Sequence, residues 1–428
     1  MQVKLYGAMV VASLLMVSES VSAEIWTLNS SIERAYQYAP EIKLAENERE
    51  ARQAAVENAG FWPNPTVDVR VDNKLGLDDG SGGYDVSDVG ITQPIPLKRL
   101  KHQKDFAEAN VQVADHELEL KRLLLETAVA KDFHELQYAQ AEYAFAKERL
   151  SVATDLQEKS VKNKQGIIVR YMTPLEKMRL NIIKEEATQM KSSAEGRYKE
   201  ALTKFEKRLN LEVSESEFAV DLQKLDSLGE LKYFVDRQAS HASLAAQQQG
   251  IVAARAEIEV AKSRRLNDPE LRFSRSVDYF RQGQDEIYGL TLNVQIPLWS
   301  SKNPEVIKAE YSASQRNIEL QQMTRELQVQ IKQSHTHLGH LIEQAEHHKL
   351  KVLQPSAEML RLTNKGFISG ELNLLTLIDA NNTYFDAQLR YSDLLYQAWN
   401  EYADLRRASG ILLSTMPVIS TQNMKGVN

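Results

Sequence analysis

The sequence predicts a mainly α chain that also carries transmembrane β structure: long coiled-coil helices joined to two β-hairpins. Three observations predict it. The chain repeats itself, because Ile95-Pro96-Leu97 lies on Ile296-Pro297-Leu298 at an offset of 201 residues, and Pro65 on Pro269 and Gly166 on Gly370 at 204. No Gly or Pro occurs from Leu97 to Gln165, so one helix over that stretch would run about 100 Å. Four runs of about ten residues alternate apolar with polar, the length and pattern of strands that cross a bilayer. A self-match this long makes the chain one supersecondary unit written twice: helix, hairpin, long helix, turn, helix.

Composition agrees. With 18 Gly and 11 Pro in 428 residues the chain is built for long helices. It has no cysteine, which excludes a disulfide frame, thiol chemistry and an acyl-cysteine anchor. The formal charge of −7 is unsegregated and no basic block points to nucleic acid. The expected organisation is a signal peptide over 1–23, a first repeat over 24–212 with its hairpin at 65–96, and a connector over 213–227. A second repeat follows over 228–413 with its hairpin at 269–297, then a flexible tail over 414–428.

The N-terminus reads as an address. Lys4 is the positive region, Leu5 to Val17 the apolar core, and Val21-Ser22-Ala23 the small-residue cleavage site. That core is too short for a spanning helix, which needs about 20 residues. No other stretch reaches that spanning length without charges, so membrane contact falls to strands or helix surfaces.

Leu28, Ile32, Ala35 and Ala39 share a helical face, and Pro40 marks an entry or kink before Ile42, Leu44, Ala51 and Ala55. Phe61-Trp62-Pro63-Asn64-Pro65 stops the helix, since two prolines cannot continue it. Then the period becomes two. Val67, Val69 and Val71 alternate with Asp68, Arg70 and Asp72, and Val89 and Ile91 return opposite Asp88, Gly90 and Thr92. In the second hairpin Tyr288, Leu290, Leu292, Val294 and Ile296 form one face, while Arg275 interrupts the face of Leu271, Phe273 and Val277. Ordinary hairpins with one wet face alternate in the same way. Four strands cannot close a membrane barrel, whose minimum is about eight, and lipid tolerates no open edge. Three copies would supply twelve. Trp62 and Trp299 sit where helix meets strand, as interfacial aromatics or as core filling.

The long helix places Leu118, Leu125, Val129, Phe133, Leu136 and Tyr143 at spacings of three, four and seven, a coiled-coil pattern. Its second copy begins with Asn303 as cap and Pro304 at the first helical position, carries Ile307, Ile318, Leu320, Leu327 and Ile331, and is expected to be interrupted at Gly339 and Pro355. Thr173-Pro174-Leu175-Glu176 is a capping box opening the first return helix. Leu374 to Arg407 is its counterpart.

These residues carry a resemblance. Val352-Leu353-Gln354-Pro355-Ser356-Ala357-Glu358, Lys365-Gly366-Phe367-Ile368-Ser369-Gly370-Glu371-Leu372, Leu377-Ile378-Asp379-Ala380-Asn381 and Leu389-Arg390-Tyr391 resemble the signature of the outer-membrane efflux protein family, the TolC-like channels. Phe61-Trp62-Pro63-Asn64-Pro65 and Gln93-Pro94-Ile95-Pro96-Leu97 resemble its CzcC-like cation-efflux branch. The resemblance covers nearly the whole mature chain. It implies a homotrimer in which long helices form a periplasmic α-barrel and the hairpins form a 12-stranded outer-membrane β-barrel in outer-membrane lipid. It also implies partners, a periplasmic adaptor (membrane fusion) protein and an inner-membrane transporter of RND type. Some relatives are lipoproteins, which a chain without cysteine cannot be.

No catalytic constellation, phosphate-binding glycine loop or His-Glu-x-x-His occurs, so the expected function is not enzymatic and no cofactor is expected. Candidate metal ligands are His337, His340 and His347, one and two turns apart within a cluster that includes His335 and His348; polar helix surface is the alternative. The polar strand residues Asp68, Arg70, Asp72, Asp88, Arg272 and Asp278 are candidates for a lumen-facing wall. The resemblance further implies that the helix ends at the repeat turns Gly166 and Gly370 coil inward and close the periplasmic aperture. Asp379 falls on a family acidic position, while Thr376, one turn earlier, departs from it and leaves at most one acidic ring there. Glu176 is the first-half equivalent of Asp379, with Arg170 and Tyr171 just before it; the alternatives are a helix cap for Glu176 and a solvated residue for Asp379. The resulting expectation is a passive exit duct for heavy-metal cations in a tripartite system. The same architecture could carry drugs or secreted polypeptides, and a soluble periplasmic coiled-coil adaptor is the second alternative.

Overall fold

The computed structural model describes residues 26–72, 86–161, 173–212, 222–225, 228–265, 267–280, 283–296 and 304–415. The expected signal peptide, Trp299, Gly166, Arg170, Tyr171 and most of the connector and tail therefore lie outside the described residues.

The described helices are α1 (Leu28–Tyr38), α2 (Pro40–Ala59), α3 (Arg99–Val161), α4 (Pro174–Leu209), α5 (Leu231–Arg237), α6 (Ala242–Ser263), α7 (Pro304–His348), α8 (Gln354–Ile368) and α9 (Leu374–Ala408). The strands are β1 (Thr66–Asp72), β2 (Val86–Pro94), β3 (Glu270–Phe280) and β4 (Gly283–Asn293). The order α2-β1-β2-α3-α4 recurs as α6-β3-β4-α7/α8-α9. α3 has 63 residues in one run, about 95 Å at 1.5 Å per residue.

Local chemistry sets the boundaries. Thr27 and Ser30 form a capping box at α1, Ala39 is extended with ψ 122°, and Pro40 takes the first turn of α2. Pro40 is thus a break between two helices, because the residue before a proline is pushed out of the α region. Gly339 does not interrupt α7, which runs on to His348. A lone Gly costs a helix about 1 kcal/mol, less than the packing of Leu338 and Leu341 on either side supplies. Pro355 does not end the helix either. A π turn over Lys349–Leu353 precedes it, widening the backbone so that the missing N–H and the ring are accommodated. At the end of α8, Gly370 has φ +80° and the amides of Glu371 and Leu372 bond the Gly366 carbonyl, which folds Leu372 back over Gly366. A side chain at either glycine would meet strain or Leu372.

α3 organises the packing, touching α2, α4, α6 and α9, while α7 packs on α6 and α9. One core joins Ile32 of α1, Val129, Phe133 and Leu136 of α3, and Phe205 of α4. Another joins Phe234 of α5, Ile331 and Leu338 of α7, and Leu394 and Leu405 of α9. A third, small one brings Leu180 of α4 onto Leu374 and Ile378 of α9. Among the described residues no helix is long and apolar enough to cross a membrane.

The four strands make one antiparallel sheet in the order β1-β2-β3-β4, so the two hairpins are joined through β2 and β3. Register puts Val67, Ile91, Phe273 and Leu290 on one rung and Val69, Val89, Arg275 and Tyr288 on the next. This face carries exposed Val67, Val69, Ile91, Phe273, Leu290 and Leu292, with nothing among the described residues packed over them. Arg275 proves to be the border of that apolar field. It makes an ion pair at 2.7 Å with Glu286 across β4, and the Tyr288 hydroxyl donates to the same carboxylate at 3.2 Å.

Candidate functional site

The opposite face of the sheet is polar. Register places Asp68, Arg70, Asp72, Asp88, Arg272 and Asp278 all on it, as the alternation in sequence requires. Asp68 on β1 stands beside Gly90 on β2, and Gly90 beside Ser274 on β3. Because Gly90 has no side chain, the Arg272 guanidinium crosses it from β3, bonding Asp68 at 2.5 Å and also Asp88. A Cβ on Gly90 would lie 2.5 Å from that guanidinium. One arginine thus ties three strands and both hairpins, and partly neutralises two carboxylates on a wall that otherwise carries excess negative charge. Arg70 pairs with Asp72 at 2.7 Å. Asp278 is exposed at the same end of the face as Asp72.

At the junction of sheet and helices four contacts fix the chain crossings. The Gln93 side chain donates to the Pro63 carbonyl at 2.9 Å, and the Ile95 amide donates to Pro269 at 2.7 Å. Arg99 pairs with Asp268 at 2.5 Å, and Asn267 donates to Gln295. Phe61, Trp62, Leu97 and Ile296 are held at this level with large exposed surfaces.

The helical seam between α3 and α9 is specified by aromatic and polar contacts. His134 is fully buried, bonded to Gln137 at 2.9 Å and stacked on Trp399 with centroids 4.7 Å apart. Burial pushes its imidazole down to about 4, against which the Gln137 bond acts weakly. Tyr138 stacks on Tyr396 at 5.0 Å, and burial raises its phenol to about 12. Farther along, Arg149 of α3 donates to Asn382 at 2.8 Å and pairs with Asp386 of α9 at 3.4 Å. A cavity of about 470 Å³ opens beside it, between α3, α4 and α9, lined by Phe145, Met190 and Phe385 among others. Buried Asp132 holds Arg208 at 2.7 Å and Lys204 at 3.0 Å, fastening α4 to α3.

Sequence reading missed two buried acids, Asp132 and Glu126. Glu126 is wholly buried and accepts from the Tyr36 hydroxyl at 2.5 Å, the Ser414 hydroxyl at 2.6 Å, the Ser414 amide at 3.2 Å and the Leu413 amide. It clamps the turn Leu413–Thr415 to α1 and α3. The available signal was position: Glu126 lies three and four residues before Val129 and Ala130, on the buried stripe.

At the tip, Glu176 bonds the Thr173 amide at 2.8 Å and hydroxyl at 3.0 Å, completing the capping box of α4. Thr376 is the corresponding cap partner of α9, its amide donating to Asn373 at 2.9 Å. Asp379 is exposed one turn on. Leu180 of α4 packs on Leu374 and Ile378 in the first turns of α9. The histidines are not brought together. His337 contacts Glu401 at 3.0 Å, His340 lies 3.9 Å from Glu343, His335 bonds the Gly229 carbonyl and His348 the Ala387 carbonyl. Among the described residues no group of three or more His, Cys, Asp or Glu could hold a metal ion. Helical spacing put His337, His340 and His347 on neighbouring turns, but exposed rings on one straight helix diverge into solvent unless another helix converges them.

The family model "Outer membrane efflux protein" matches residues 31–159 and 235–411. No curated protein matches the sequence. Among solved structures, the Neisseria gonorrhoeae MtrE outer membrane channel in its open state is similar at 16% identity and TM-score 0.71, covering 90% of this chain and 89% of that one. The Campylobacter jejuni CmeC outer membrane channel is similar at 13% identity and TM-score 0.70, covering 90% and 85%. The Vibrio cholerae outer membrane protein VceC is similar at 14% identity and TM-score 0.68, covering 90% and 96%. At these identities the likeness is one of fold.

Proposed function

Because the chain belongs to the outer membrane efflux protein family, we propose that it is the outer-membrane exit duct of a tripartite efflux system. The observation that carries this is the sheet. Its one face is an uncovered apolar field, its other a charged wall, and its two edge strands β1 and β4 have no partner within the described chain. A soluble protein exposing such a face and such edges would aggregate. A barrel in lipid explains both at once, since closure with further copies pairs the edges and lipid covers the field. Three chains give twelve strands, and the helices of α3 and α7 continue the duct into the periplasm. The polar face, with Asp68, Arg70, Asp72, Asp88, Arg272 and Asp278, then lines the lumen, and Trp62 and Trp299 sit at the membrane border.

The duct is passive, working with a periplasmic adaptor and an inner-membrane transporter of RND type. Heavy-metal cations are the cargo we favour, on the branch resemblance of the Phe61–Pro65 and Gln93–Leu97 motifs; drugs or secreted polypeptides are the competing cargo. The tip closes the duct in this reading, with Asp379 as an acidic ring, Glu176 and Thr376 shaping the helix starts, and Arg170 and Tyr171 near the turn Gly166 as holding contacts. The test is fractionation of cells expressing the full chain. Recovery with the outer membrane, extractable only by detergent and as three chains by native mass measurement, is expected. A soluble periplasmic monomer would return the chain to the adaptor class.

A further inference from the structure

The level where sheet meets helices carries a second kind of surface. On it stand exposed Phe61, Trp62, Leu97 and Ile296. Immediately on the helical side lie the cations of Lys98-Arg99-Leu100-Lys101-His102-Gln103-Lys104 and of Lys262-Ser263-Arg264-Arg265. Several are occupied: Arg99 by Asp268 at 2.5 Å, Lys262 by Glu259 at 2.8 Å, Lys104 by Glu108 at 3.7 Å. Arg264 turns toward a cavity of about 750 Å³ between α2, α3, α6 and α7. That leaves Lys98, Lys101 and Arg265, all exposed, with no ion pair among the described residues. The Ile95–Pro269 bond and the Arg99–Asp268 pair hold the two segments side by side, so the three cations share one level.

We propose that Lys98, Lys101 and Arg265 form a cationic collar that holds the phosphate groups of anionic phospholipids in the leaflet facing the helices. This rests on the membrane reading above. Charge complementarity selects the occupant. Acyl chains cover Phe61, Trp62, Leu97 and Ile296, and the next chemical layer outward from acyl chains is phosphate. Long Lys and Arg side chains reach along apolar surface to place their heads in that layer. A protein partner would have to offer acidic groups at the same height as an apolar ring already in lipid, which leaves it no room.

The test uses the purified full chain in detergent, given equimolar phosphatidylglycerol and phosphatidylcholine, with retained lipid counted by native mass spectrometry. The parent is expected to keep phosphatidylglycerol preferentially and to lose the preference in high salt. Lys98→Gln, Lys101→Gln and Arg265→Gln together should reduce the preference by roughly fivefold per cation removed, while Lys98→Arg, Lys101→Arg and Arg265→Lys together should preserve it. Equal retention of both lipids by the parent, or an unchanged preference in the Gln variant, overturns the collar. So does a Gln variant that keeps phosphatidylglycerol but no longer associates with its own copies, which would place these cations in a chain–chain contact. Insertion into vesicles of phosphatidylcholine alone reads the membrane assignment separately: a chain that inserts there but shows no lipid preference refutes only the collar, and one that inserts nowhere refutes both.

Discussion

Replacing Glu126 by Gln should release the C-terminal turn from the helices. Its carboxylate, with no exposed surface, receives two hydroxyls and two backbone amides. An amide side chain turns one acceptor oxygen into a donor. The hydroxyls of Tyr36 and Ser414 can rotate, and exposed Ser414 can return its groups to water, but the buried Leu413 amide cannot turn away. Losing a hydrogen bond to a charged acceptor and stranding a buried donor together cost about 3 kcal/mol. That corresponds to a loss on the order of 100-fold in amide exchange protection at Leu413, read by hydrogen exchange on a peptide covering 409–415. Tyr36→Phe removes one donor of four and leaves the carboxylate in place, so its effect should stay below roughly tenfold. Unchanged protection in Glu126→Gln would refute the clamp, as would a full loss in Tyr36→Phe alone.

Three further outcomes are expected. His134 has a depressed folded pKa of about 4, so its contribution is complete above the unfolded value near 6.5 and is lost as pH falls toward 4, where only the unfolded chain binds the proton. The loss is about 3 kcal/mol; melting of His134→Phe, which keeps the stack on Trp399, should vary less with pH over that window than the parent, and parallel curves would contradict this. Gln at His337, His340 and His347 together should leave metal tolerance of expressing cells unchanged, since the rings do not converge; a loss of tolerance would show a site that forms only in the assembly. At the tip, Asp379→Asn should lower cation preference without opening the duct, while Arg170→Ala or Tyr171→Phe should favour the open state. Three like charges at about 6 Å repel by roughly 0.7 kcal/mol per pair in water, so a closed aperture needs such holding contacts; variants that conduct like the parent would remove this turn from the gate.

What could be read from sequence followed from periodicity and backbone chemistry. The alternation of Val67-Asp68-Val69-Arg70 specifies which face each side chain takes, and the register confirms it. Thr173-Pro174-Leu175-Glu176 announced its own cap, because every partner lies within four residues. What escaped depends on partners distant in sequence. Arg275 looked like a fault until β4 supplied Glu286. Glu126 looked like one more charge on a Lys- and Glu-rich helix, since its donors at Leu413 and Ser414 are 287 and 288 residues away. Gly339 and Pro355 were read by their local preferences, which packing on α9 and one π turn override. The histidine spacing was correct along the helix and uninformative across it.

The central claim is that copies of this chain close a water-filled duct through lipid, and conductance measures that directly. Purified full chain added to a planar bilayer in symmetric salt should produce discrete, uniform current steps, larger and longer-lived in Arg170→Ala if the tip is the constriction. A bilayer that stays silent with the parent and with the Arg170 and Tyr171 variants alike, from protein verified as folded, would contradict the duct.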